Sequence, residues 1–426
     1  MQIYDKIKLD DLIMPTQASI QKLLFPSKSE AVNTSKRFIS IAGNRVPVYT
    51  QEFWTSMQRQ GASIHEVSYR ACFKPQLPNY FISRFSKQED VVYDPFSGRG
   101  TTVIEAALMR RNIVANDANP VSAVLCKPRI HPPTIRQIEE RLKEIPFEQN
   151  LKANIDLSMF YHPDTESEIV SLRNYLKARK KKGKEDFVDE WIRMVATNRL
   201  TGHSKGFFSV YTLPPNQAVT AEKQKKINLI RKQTPPYRNT KEIIIRKSQQ
   251  LLLRLTEAEK CNLTRAATEA RFITGDARKT SSIPDNTVQL VVTSPPFLDI
   301  VQYDEDNWLR CWFNNIHLGK ISAKITMEKN VSRWGSVMSD VLKELHRVIK
   351  PGGWVAFEVG EVRNGKVKLD EEIVPLGIKS GFNCEAVLIN AQKFTKTANI
   401  WGVKNNVSGT NSNRIVLFRK NNRGSK

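Results

Sequence analysis

The stretch Val91-Val92-Tyr93-Asp94-Pro95-Phe96-Ser97-Gly98-Arg99-Gly100-Thr101-Thr102 constrains the fold of this chain more than any other. Its apolar start reads as a short buried strand, the glycines as a turn, and Thr101 through Leu108 as a helix. Gly98 and Gly100 permit positive φ and let a ligand approach the backbone closely. Asp94, at the strand end, can accept from an ammonium group. The next strand, Asn112–Ala115, runs into Asn116-Asp117, about 20 residues beyond the glycines, where nucleotide-binding sheets place an acid for ribose hydroxyls. A lone Gly-x-Gly is also an ordinary strand-to-helix turn. The segment therefore points to an α/β fold first and to a bound nucleotide second.

A second signal ends the apolar run Val288–Val292: Thr293-Ser294-Pro295-Pro296-Phe297. Two successive prolines stiffen the turn and remove backbone donors, leaving nearby carbonyls free to accept from a ligand. The Phe297 ring offers a stacking surface for a planar base. A site for an exocyclic amino group on a flat ring needs these parts, although Ser-Pro-Pro also closes strands in plain turns.

Taken in order, these motifs resemble the S-adenosylmethionine-dependent DNA amino-methyltransferases, which methylate cytosine N4 or adenine N6. Asp94–Thr102 is similar to the family's cofactor loop, and Ser294-Pro295-Pro296-Phe297 to its catalytic tetrad. Phe73-Lys74-Pro75-Gln76-Leu77-Pro78 resembles the outlying motif that closes over the methionine end. Arg271–Ala277 resembles the strand whose terminal acid, Asp276, approaches the adenine amine. Leu345–Trp354 looks like the helix, turn and fifth strand of the same fold. The motifs run in unpermuted order, with a long interval between Asp117 and Gly275.

The resemblance implies a doubly wound, Rossmann-like α/β sheet, mostly parallel and of seven strands, carrying a large basic insertion. It implies S-adenosylmethionine as cofactor, held by Lys74, Pro75, Asp94, Pro95, Phe96, Ser97, Gly98, Gly100, Thr101, Thr102, Asp117, Asp276 and Ala277. Ser294, Pro295, Pro296 and Phe297 would be catalytic, and no metal is needed because a sulfonium is already an activated donor. Relatives that modify cytosine N4 usually carry Ser at the first tetrad position, those that modify adenine N6 usually Asp. Ser294 thus favours N4 of cytosine in double-stranded DNA, reached by base flipping, over adenine N6 or an amino group in RNA. A cognate restriction endonuclease is a further expected partner.

Charge agrees with a polyanionic partner. The net charge is +23 and the pI about 9.8, far beyond what solubility requires. Residues 191–250 hold 12 Lys and Arg against Glu222 and Glu242, with aromatics and loop formers interleaved from Gly202 to Gln217. Such a stretch can grip phosphates and read base edges, or it can be a solvated face. The five cysteines are scattered and never spaced Cys-x-x-Cys, which suggests reduced thiols in a cytoplasmic protein. None follows a proline, which argues against covalent attack at cytosine C5. No run approaches the length of a membrane span, and Met1–Lys6 lacks the features of a signal peptide.

The segmentation expected is an N-terminal arm over 1–60, the first part of the catalytic domain over 61–130, the basic insertion and candidate target-recognition region over 131–265, and the rest of the catalytic domain over 266–426. Inside the insertion, Glu166–Lys180 and Glu242–Glu259 each read as one helix. Asp306 or Asn307 reads as a helix cap ahead of Trp308 and Trp312, or as part of the base pocket. Arg414–Phe418 reads as a late strand and Arg419–Lys426 as a frayed tail. His65 reads as a packing or surface residue. The loop of Trp401-Gly402-Val403 and Gly409–Arg414 either touches DNA or simply turns.

Overall fold

A computed structural model describes residues 17–25, 34–41, 43–54, 61–69, 72–213, 218–296, 303–317, 330–362, 367–391 and 412–422. Its strands are β1 (Ser35–Ile41), β2 (Asn44–Gln51), β3 (Val91–Asp94), β4 (Asn112–Asp117), β5 (Arg271–Thr274), β6 (Val288–Thr293), β7 (Ile349–Val359), β8 (Glu361–Val362), β9 (Val367–Lys368), β10 (Phe382–Ala391) and β11 (Ser412–Lys420). β8 and β9 form a separate small hairpin, and the others form one sheet in the order β1-β2-β10-β11-β7-β6-β3-β4-β5. Seven of these, β10 through β5 in that order, make the doubly wound core, with β11 antiparallel to both neighbours and the β7-β6-β3-β4-β5 pairings parallel. Phe297 and Trp401–Asn411 lie outside the described residues.

Parallel strands buried on both faces read as continuous apolar runs, and β6 is one. Its residues alternate between two packed clusters: Leu290 and Val292 join one, Val288 and Val291 the other. α1 (Gln17–Leu24), α2 (Gln76–Phe85), α3 (Thr101–Leu108) and α4 (Val121–Cys126) precede the insertion. α2 packs the Phe85 ring, tilted by 50°, against Trp354 of β7 at 4.7 Å between ring centroids.

Between β4 and β5 come α5 (Ile135–Glu144), α6 (Pro163–Lys181), α7 (Phe187–Arg199), α8 (Ala221–Arg231), α9 (Thr240–Leu252) and α10 (Glu257–Glu269). These share the core of the sheet: Trp191, Leu172 and Ile244 are buried in the same cluster as β6, and the Trp191 indole donates to Ser248 at 2.9 Å. α11 (Tyr303–Phe313), α12 (Val331–Val348) and α13 (Leu369–Lys379) complete the chain.

Several expectations need correction. The N-terminal segment is not only an arm: β1 and β2 pair as a hairpin, and β2 runs parallel beside β10, widening the sheet beyond seven strands. The single helix expected over Glu242–Glu259 is two, because Thr256 caps α10 in a capping box with Glu259 and ends the preceding helical run. α11 begins at Tyr303, so neither Asp306 nor Asn307 caps it. β11 continues through Arg419 and Lys420, and Lys420 donates to the carbonyls of His346 and Ile349, which holds the first two residues of the segment expected to fray; residues 423–426 of it lie outside the described residues. No helix among the described residues is long and apolar enough to cross a membrane.

Candidate active site

β3 and β6 are neighbours in the sheet although the chain leaves β3 for β4 on the opposite side. This reversal is a topological switch point, and ligands of open α/β sheets bind outside the strand ends there. Asp94 ends β3 and Thr293 ends β6, and the Thr293 hydroxyl donates to the Asp94 carboxylate at 2.6 Å. The backbone N–H of Phe96 donates to the same carboxylate at 3.1 Å. Asp94 is 2 % exposed, and burial pushes its carboxyl up to about 7.

The glycine loop wraps around this point. Gly98 and Gly100 take φ of 49° and 79°. A Cβ at Gly100 would stand 2.4 Å from the Cys126 sulfur, so that position requires glycine for space as well as for conformation. The Gly98 N–H donates to Asp117 at 2.8 Å, and the Asn119 N–H donates to its other oxygen at 2.8 Å. Burial raises Asp117 to about 6. Ser97 is pinned by its N–H and hydroxyl to the Asn116 carbonyl, and Thr102 donates to the carbonyl of Val292 at 3.0 Å, tying α3 to β6.

One pocket gathers Asp94, Pro95, Phe96, Ser97, Gly98, Thr101, Asp117, Asp276, Ala277, Ser294, Pro295 and Pro296 in its wall. Lys74, Pro75, Gly100 and Thr102 are outside that wall; Phe73 and Cys72 line it instead of the first two. Asp276 differs from the other acids because Arg278 pairs with it at 2.6 Å, which holds its carboxyl below the usual range. His65 lies in the core, bonded to Glu105 at 2.7 Å.

Three contributors escaped the sequence reading. Trp334, on α12, closes the apolar side together with Val337, Met338 and Val341, and its indole donates to the carbonyl of Pro296 at 2.9 Å. Asn116 presents a buried Oδ1 with no partner among the described residues. Glu358, near the end of β7, is 5 % exposed. It accepts from Ser294 and from Asn413, while burial raises its carboxyl above the ordinary value. The register explains the contact: Thr293 pairs with Phe357, so the next residues, Ser294 and Glu358, emerge together. Trp334 was legible as part of an amphipathic helix; Glu358 was not, because strand register is absent from the sequence.

Residues 20–124 match the N6/N4 DNA methylase family. This part of the chain is similar to the S-adenosylmethionine-dependent DNA amino-methyltransferases. Two Type II methyltransferases of Methanocaldococcus jannaschii are similar to it. M.MjaI is 33% identical over 101 residues, covering 22% of this chain and 33% of its own length. M.MjaII is 29% identical over 77 residues, covering 18% and 14%. The chain thus spans a third or less of these relatives' lengths. A DNA modification methylase of Thermus thermophilus, solved with S-adenosylmethionine, is 24% identical over 36% of this chain and 56% of its own, with a TM-score of 0.23.

S-adenosylmethionine is the cofactor of this family, and the pocket fits it. Asp94 is buried and Asp117 partly buried, neither has a cation paired to it among the described residues, and a ligand bearing a sulfonium and an ammonium supplies one. Asn116 Oδ1 leaves an acceptor open, and the α12 side chains give an apolar surface for a base. The raised carboxyls make a test. Asp94 and Asp117 bind protons more tightly folded than unfolded, so their contribution to stability is complete below the ordinary value of 3.8 and is lost as pH rises through about 6 to 7. The ligand-free protein should therefore lose melting temperature between about pH 5 and about pH 8 relative to Asp94→Asn. Added S-adenosylmethionine should raise Tm more at the higher pH. An equal rise at both would contradict the assignment.

Proposed function

We propose that the protein transfers a methyl group from S-adenosylmethionine to the N4 amino group of cytosine in double-stranded DNA, at a specific sequence and after flipping the base. The observation that carries this reading is the contact of Glu358 with Ser294, which lines the same pocket as Asp94 and Asp117. The cofactor would supply a methyl group already activated by its sulfonium.

An arylamine nitrogen is a poor nucleophile because its lone pair is delocalised into the ring. Acceptors on its N–H groups draw it toward a more nucleophilic geometry. Ser294 Oγ is one such acceptor, and the Pro295 carbonyl is the other. Glu358 takes the Ser294 hydroxyl proton as a hydrogen bond, which turns an Oγ lone pair toward the substrate. As the N–C bond forms, the amine must lose one proton. That proton passes to Ser294 Oγ as the serine's own proton passes to Glu358, leaving a neutral methylamino group. Glu358 acts through Ser294, so it is a positioning residue. The neutral serine with its charge one step removed suits the smaller cytosine ring, and the resemblance favours the same base.

Asp94 would hold the cofactor's ammonium, Asp117 its ribose and Asp276 its adenine amine. Gly98 would let its backbone approach. The basic stretch 191–250 would contribute target recognition, and the names of the archaeal relatives support a Type II setting with a partner endonuclease.

Labelled methyl transfer to synthetic duplexes tests the reading. Label should enter a duplex whose only amino-bearing bases are cytosine and guanine, and not one of adenine and thymine. Incorporation into the adenine–thymine duplex alone would assign adenine N6, and incorporation only into folded RNA would remove DNA as substrate.

A further inference from the structure

A second cavity, of about 440 Å³, adjoins the cofactor pocket and shares Tyr69 and Arg99 with it. Its wall contains Glu66, Arg99, Arg199, Phe207 and Lys247. Arg199 ends α7 and Lys247 lies on α9, so both come from the insertion, whereas Arg99 comes from the glycine loop. The side chains are buried: Arg199 is 8 % exposed and Lys247 7 %. Arg129, fully buried, stands beside them and donates to the carbonyl of Ile64 at 3.2 Å.

Buried cations normally carry a matching carboxylate. Here the count is lopsided. Among the described residues the carboxylate that the Lys247 ammonium reaches is Glu66, at 3.9 Å, and Glu66 is itself mostly in solvent. Arg199 donates to Asn198 through its carbonyl and side-chain oxygen and lies over the Phe207 ring at 3.9 Å. No carboxylate pairs with it among the described residues. Arg99 is spent on the carbonyls of Val67 and Phe73. The cations also repel one another: Arg310 disfavours charge on Arg199, and Arg199 and Arg129 disfavour it on Lys247, which burial and this repulsion bring down to about 8.

A cluster of like charges drawn into one cavity is relieved by an anion, and the anion that a DNA substrate carries is the phosphodiester. Arginine offers a planar fork and lysine a point charge, the usual pair for phosphate oxygens. Two of the cations sit on the insertion, away from the sheet that holds the cofactor. We infer that this cavity binds a backbone phosphate of the target strand, next to the nucleotide whose base reaches Ser294. The inference rests on the reading of the protein as a DNA methyltransferase and adds to it a specific anchoring site. Holding that phosphate would fix the register of the strand while the adjoining pocket receives the base.

The test uses the full chain, a methylatable duplex and two substitutions on different helices, Lys247→Gln and Arg199→Gln. Each is expected to weaken duplex binding at least about tenfold and to reduce the slope of log affinity against log salt by about 1. The Kd for S-adenosylmethionine should stay within about twofold. Lys247→Arg, which keeps the charge, should restore both affinity and slope, separating loss of charge from loss of packing. Wild-type methylation with unchanged slopes in both variants overturns this inference alone. So does a loss of cofactor affinity with normal DNA binding, which would make the anion the cofactor's own carboxylate. A wild-type protein that neither binds nor methylates duplex DNA overturns the parent reading, and this one with it.

Discussion

Asp94→Ala is expected to lower affinity for S-adenosylmethionine by at least about thirtyfold, since removing one partner of a buried, hydrogen-bonded charge pair costs about 2–5 kcal/mol. The carboxylate is almost wholly buried and held by the Thr293 hydroxyl and the Phe96 N–H. Those bonds fix its direction, while burial leaves it without a countercharge. Asp94→Asn preserves the shape and removes only the charge, so it should lose most of the same affinity while keeping the melting transition. Calorimetric titration reads both variants. A Kd within about twofold of wild type in Asp94→Ala would show that the cofactor's cation lies elsewhere.

Ser294→Ala is expected to slow methyl transfer about a hundredfold or more in a single turnover, the range for loss of a positioned proton acceptor, with cofactor affinity unchanged. Glu358→Gln separates the two residues. In the proposed mechanism Ser294 would touch the substrate, and Glu358 would act only through it and only when ionised. Burial raises the Glu358 carboxyl above its ordinary 4.5 while Asn413 and Ser294 pull it back. The wild-type rate should therefore climb with pH through that raised value and level off above it. In Glu358→Gln the rate should be low and should lose this limb. A glutamine variant with a normal rate and the same limb would mean that Glu358 merely fills space.

The parts of this site that the sequence reveals are those whose chemistry is local. Gly98 and Gly100 announce a turn because they alone tolerate its φ values, and the apolar runs on either side announce a strand and a helix. The same holds for Ser294 and the two prolines after it. What stayed hidden depends on which strands lie side by side. Glu358 reads in sequence as one acid in an apolar strand, and it gains meaning only because β6 and β7 pair with Thr293 opposite Phe357. The hairpin of β1 and β2 was equally obscure, because β1 is mostly exposed at the sheet edge and carries no alternation of apolar and polar residues. The break between α9 and α10 was a different case. Thr256 and Glu259 form a readable capping signal, overshadowed by the leucines on its N-terminal side.

Lys74 and Pro75 show the limit of carrying roles over by motif. The motif places that segment at the pocket, and the structure brings its neighbours Cys72 and Phe73 into the wall instead. A segment can be right while the side chains that face the ligand differ by one or two positions.

The most direct measurement is mass spectrometry of nucleosides from unmethylated plasmid DNA incubated with the protein and S-adenosylmethionine. The account predicts N4-methylcytosine, formed about a hundredfold more slowly or less when Ser294→Ala is used. N6-methyladenine would keep the mechanism and reject the base; 5-methylcytosine, or no methylated nucleoside with cofactor binding intact, would contradict the account.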